Sequence, residues 1–159
     1  GEHVWVGCQG GSICTFDTRT LELWGLLPGH TQDVMAMTRV GRHMWTAAGH
    51  VLLVWANCET SDPHVVQEIH LVGKDILSLH ASRSGKFVFC GSIAGFVVLD
   101  AKTCATLAVG SVDEGVTDVV EVVRGGSDHF KDSQAAPGAA RRGLKSQQHL
   151  RELGEGAGG

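Results

Sequence analysis

"HMWTAAGHVLLVW" occupies residues 43–55 and divides into two strand-like runs, "HMWTAA" (43–48) and "HVLLVW" (50–55), on either side of Gly49. Two such runs around a glycine form a β-hairpin signature. The second run is apolar almost throughout, which reads as a strand buried on both faces. The pattern occurs twice more. "HVWVGC" (3–8) precedes "GSICTFD" (11–17) across a Gln-Gly, and "KFVFCGS" (86–92) precedes "GFVVLD" (95–100). The spacing is nearly constant: Trp5 to Trp45 is 40 residues, Trp45 to Val88 is 43, Phe16 to Trp55 is 39 and Trp55 to Leu99 is 44.

Further strand-like runs lie between the hairpins: "LELWGLL" (21–27), "DVMAMTRV" (33–40), "VVQEIHLV" (65–72), "DILSLHA" (75–81), "ATLAVG" (105–110) and "VTDVVEVV" (116–123). Helix signals are nearly absent before residue 124. A period near forty with four strands per repeat is the signature of propeller blades. A β-sandwich also has short, regularly spaced strands, but it does not predict the hairpin returning at this step. The expected fold is all-β: a partial β-propeller of four-stranded antiparallel blades over residues 1–123. It comprises two near-complete blades, three strands of an earlier one and the opening strand of a later one.

"GHTQDVMAMTRVGRHMWTAAGHVLLVWA" (29–56) resembles a WD-repeat. Gly29-His30 stands at that family's Gly-His and Trp55 at the Trp of its Trp-Asp. "VGKDILSLHASRSGKFVFCGSIAGFVVLDAKT" (72–103) resembles a second copy, with Ser84-Gly85 at the turn between its first strands and Leu99-Asp100 for Trp-Asp. "VWVGCQGGSICTFDTRTLEL" (4–23) resembles the latter part of an earlier copy, with Phe16-Asp17 for Trp-Asp. The resemblance implies a His–Asp–Ser/Thr–Trp hydrogen-bonded set that ties each blade. His30, Thr46 and Trp55 match three of its positions in the middle copy. The Asp position is Gly49 there and Gly10 in the first copy, and the third copy has a shorter turn with no Asp. Apolar packing must therefore carry more of the load. The family also implies a part of a larger scaffold, kinase or exchange-factor protein, with the missing blades supplied by the rest of the parent chain.

Composition narrows the function. Residues 1–123 carry 7 Lys/Arg against 13 Asp/Glu, so binding of nucleic acid driven by bulk charge is not expected. No apolar run reaches the roughly 18 residues of a membrane span. The five cysteines are an odd number without zinc-module spacing, which points to a reducing, cytoplasmic setting. Residues 124–159 carry 6 Lys/Arg against 4 Asp/Glu, 8 glycines and a single aromatic, Phe130. Such a segment buries too little apolar surface to offset its ordering entropy, and a disordered low-complexity tail is expected there.

Reaction chemistry is sparse in the sequence. "SRSGKF" (82–87) lacks the first glycine and the spacing of a phosphate loop, and "GCQGGS" (7–12) lies between strands, where a hairpin turn explains its glycines. Cys8 and Cys14 face each other across the first hairpin, a position where cysteine usually serves as a small hydrophobe. Asp33, Asp75 and Asp118 recur before each innermost strand at steps of 42 and 43 residues. They either cap turns or ring a channel mouth, and Asp favours turns. No catalytic residue, cofactor or metal is expected. The expected role is a protein-interaction scaffold whose partner is another protein. The candidate contact residues are Trp24, in the outermost strand of its copy, and Arg42, Asp62, His64, Arg83 and Lys86 in loops. The alternatives are an enzyme or metal site in the central channel, and a non-functional truncated product.

Overall fold

The hairpins form where the repeated runs place them in the computed structural model, which describes residues 3–122. β1 (His3–Gly7), β2 (Ile13–Asp17) and β3 (Leu23–Leu27) make a three-stranded sheet. β4 (Ala36–Val40), β5 (His43–Ala48), β6 (Val51–Ala56) and β7 (His64–His70) make a four-stranded one. β8 (Ile76–Ala81), β9 (Phe87–Ser92), β10 (Gly95–Asp100) and β11 (Thr106–Gly110) make another. Neighbouring strands follow one another in sequence and run antiparallel. The fold is an all-β partial propeller of antiparallel blades, here called blades 1, 2 and 3. The reading of residues 124–159 as a disordered tail lies outside the described residues.

Blade 2 is the middle layer, so both of its faces are covered. Trp45, Ala47, Leu52 and Val54 project into a core shared with Ile76, Val88, Cys90, Val97 and Leu99 of blade 3. Leu53 and Trp55 project the other way, onto Trp5 and Ile13 of blade 1. Trp5 meets Trp55 edge-on, with ring centroids 5.8 Å apart. Strict two-residue alternation with an apolar partner on either side is why "VLLVW" shows no polar face.

Fine geometry repeats along with the blades. A β-bulge shifts the register at Thr15/Phe16, Val54/Trp55 and Val98/Leu99, just before the Trp-Asp position of each copy. Asp17 and Asp100 then organise matching turns. Asp17 Oδ1 accepts the backbone N–H of Arg19 at 2.8 Å and of Thr20 at 3.1 Å. Asp100 Oδ1 accepts those of Lys102 at 2.9 Å and Thr103 at 2.8 Å. Each turn closes on a left-handed residue, Leu21 (φ 58°) or Cys104 (φ 60°).

Two expected features differ. The Gln-Gly turn of the first hairpin is not tight: a 3-10 turn, Gln9–Gly11, widens it, with φ +78° at Gly10 and +89° at Gly11. The run at 116–122 is not a strand. Backbone links dock each connection onto the blade before it: Val34 N–H to Cys8 C=O at 3.3 Å, Ile76 N–H to Gly49 C=O at 2.7 Å, and Val116 N–H to Ser92 C=O at 2.8 Å. Residue 116 thus approaches blade 3 as an opening strand would. No strand among the described residues pairs with 116–122, and a strand needs a neighbour for its backbone groups.

Candidate functional site

His30, Thr46 and Trp55 come from three elements and meet at one point. His30 lies in the connection from β3 to β4, fixed by its N–H donating to the Gly11 carbonyl at 3.0 Å. Thr46 on β5 is fully buried. Trp55 on β6 shares its face, because Thr46 opposes Leu53 and Met44 opposes Trp55. The Trp55 Nε1–H donates to Thr46 Oγ1 at 3.0 Å, and His30 Nε2 lies 2.8 Å from that same oxygen. All three groups are satisfied when the Thr46 hydroxyl donates to Nε2 of a neutral imidazole. Gly29 beside it needs to be glycine, since an added Cβ would lie 2.8 Å from Trp55 Cζ2. Gly29→Ala is expected to destabilise the chain by about 1–3 kcal/mol through overpacking, read by chemical denaturation.

The vacant Asp position is filled in another way. A Cβ at Gly49 would lie 2.0 Å from Gln32 Oε1, so the Gln32 side chain covers the turn there. Gln32 was not singled out from the sequence, and nothing in its neighbourhood marks it.

Burial holds the His30 imidazole below its ordinary pKa, outweighing the pull of the Glu68 carboxylate in the other direction. The sign of the stability effect follows. The unfolded chain takes up the proton first, so His30-linked stability is full above about pH 6.5 and falls as pH drops from there towards the depressed native value. Backbone N–H bonds, from Arg19 and Thr103 first, hold Asp17 and Asp100 below the usual carboxylate range. Their contribution is present above about pH 4 and is lost as pH falls through those lowered values. A two-stage loss of thermal stability on acidification is expected, and His30→Ala should remove the upper stage.

The candidate contact residues lie at or beside turns of blades 2 and 3 and on β3 of blade 1. The β4–β5, β6–β7 and β8–β9 turns lie at the same edge of their blades, because antiparallel strands alternate direction. That edge carries exposed Arg42, Asp62, His64, Arg83 and Lys86. Its backbone is pinned: Arg83 N–H donates to Glu121 Oε2 at 2.5 Å, and Lys86 C=O accepts the Ala101 N–H at 2.8 Å. Arg39 adds an ion pair with Glu59 at the same edge. Trp24 is on β3 of blade 1, just after the β2–β3 turn, 50% exposed, its ring 4.5 Å from that of His3.

The recurring aspartates do not act alike. Asp33 Oδ1 accepts the Gly10 N–H at 2.8 Å, tying the β1–β2 turn. Asp118 Oδ1 accepts the N–H of Val119 at 2.8 Å. Asp33 and Asp75 line an open cleft of about 480 Å³ with Gln32, Met35, Leu77 and Ile93. Among the described residues no three His, Cys, Asp or Glu side chains gather to hold a metal. No helix among them is long and apolar enough to cross a membrane.

No family model matches the chain, and no curated protein does. Its backbone matches 212 solved chains, and so common a fold selects no single activity. One is a WD40 propeller chain in the crystal structure of the mitotic checkpoint complex, similar at a TM-score of 0.68 and 13% identity. The match covers 76% of this chain and 38% of that one. At this identity the likeness concerns the fold, and the described residues have the fold of a partial WD40-like propeller.

Proposed function

We propose that residues 1–123 are a protein-interaction module, part of a scaffold whose further blades come from the parent chain, and that the edge bearing Arg42, Asp62, His64, Arg83 and Lys86 docks a protein partner. The observation that carries this reading is the division of labour among the residues. Strands and the His30–Thr46–Trp55 set hold the blades, while charged side chains project from turns whose backbones are pinned. Rigid scaffolds present binding residues in this way. The propeller in the mitotic checkpoint complex, itself part of an assembly, lends support by analogy. The groups best suited to chemistry are engaged structurally: His30 with Thr46, and Asp33 with Gly10. The role proposed for His30, Thr46 and Trp55 is accordingly a blade tie, and for Trp24 a secondary contact.

The test is partner capture by the chain with Arg83→Glu and Lys86→Glu together, beside His30→Ala. The charge reversals are expected to weaken capture at least tenfold with the unfolding free energy unchanged within the roughly ±0.5 kcal/mol usual for surface changes. Capture that ignores the reversals would remove this edge from the interface. A channel enzyme or metal site, the competing reading, would rest on the Asp33–Asp75 cleft, and a metal titration of the whole chain distinguishes it.

A further inference from the structure

Cys8 and Cys14 lie with their sulfurs 3.5 Å apart. Both are free thiols and both are partly exposed. The pairing explains the meeting. Val6 opposes Cys14 and Gly7 opposes Ile13, so Cys8 lies diagonal to Cys14 at the end of the ladder. Alternation places Val4, Val6 and Cys8 on one face of β1, the face opposite buried Trp5. Val4 and Val6 are 49% and 41% exposed, so solvent reaches this face of blade 1. Between the two cysteines, Gly10 and Gly11 have positive φ, and the turn is the widened one described above.

We propose that Cys8 and Cys14 are a dithiol modification site that closes to a disulfide on exchange with a low-molecular-weight disulfide such as oxidised glutathione. One thiolate of the pair attacks the reagent, forming a mixed disulfide and releasing one thiol. The second thiolate attacks the protein-side sulfur, forming the Cys8–Cys14 bond and releasing the second thiol. The pair loses two electrons and two protons, and the reagent leaves as two thiols. The hydrogen bond with Cys8, and burial after it, raise the Cys14 thiol above its ordinary pKa. Of the remaining cysteines, Cys58 and Cys104 are also partly exposed, and the Cys58 thiol donates to the Trp55 carbonyl at 3.2 Å. Cys90 is buried in the core, and desolvation pushes its thiol up to about 12.

The test treats the full 159-residue chain with oxidised glutathione, caps remaining thiols with iodoacetamide and maps the peptides. It is read on molecules whose Cys90 stays uncapped, since that thiol reports an intact core. The expected product has lost two hydrogen masses at this pair and carries a Cys8–Cys14 cross-link, with little mixed disulfide on either of the two. Cys8→Ser and Cys14→Ser should each abolish the cross-link and leave glutathione on the other cysteine. A mixed disulfide that persists on Cys8 or Cys14 in the unmutated chain, or a cross-link that survives either substitution, would overturn the proposal. Cys8 and Cys14 both capped, with no cross-link between them, would do the same.

Discussion

Trp45→Ala is expected to lower the unfolding free energy by about 3–5 kcal/mol, the range for a large aromatic removed from a core. Trp45 is 1% exposed and lies in the layer between blades 2 and 3, against Val88, Val97 and Leu99. Neighbours held in sheets on both sides cannot collapse fully into the space. Total stability for a domain is about 5–15 kcal/mol, so the loss would leave much of the chain unfolded at moderate temperature. Trp24→Ala is the matched control. Its ring is half exposed, so a change within about 0.5 kcal/mol is expected. Denaturant unfolding followed by circular dichroism checks both. Equal effects of the two substitutions would contradict the layered arrangement.

Thr46→Val should have the second-largest effect. It keeps the shape of the side chain and removes the oxygen shared by Trp55 Nε1 and His30 Nε2. Each buried polar group left unpaired costs about 1–3 kcal/mol, so a loss of about 2–4 kcal/mol is expected. His30→Ala alone should cost about 1–3 kcal/mol. Because the three groups form one network, Thr46→Val with His30→Ala should cost less than the two separately. Strict additivity would show that His30 and Thr46 do not act together.

How far the sequence reveals this structure depends on whether a residue's partners are close along the chain. The hairpins 43–55 and 86–100 were legible because each strand's partner follows a short turn, and buried faces leave apolar runs. Asp17 and Asp100 were legible only as the Asp of the Trp-Asp position, and the turns that they organise come from bonds within their own loops. The run 116–122 misled because its composition suits a strand, while strand formation depends on a neighbour that composition does not report. The widened first turn was missed since Gly10 and Gly11 are compatible with several turn types, and the contact of Gly11 with the His30 carbonyl selects among them. Gln32 over Gly49 is a distant contact of an ordinary polar residue, and nothing local announces it. The loop candidates were legible as exposed charge.

Blade 2 is packed on both faces between the other two sheets. Amide hydrogen exchange along the chain, measured by mass spectrometry, tests this packing most directly. The slowest exchange is expected in β5 and β6, where Trp45, Thr46, Leu52 and Leu53 are buried. Faster exchange is predicted in the outer strands β3 and β11, and the fastest in 116–122, which has no ladder. Exchange in β5 and β6 as fast as in β3 and β11 would contradict it.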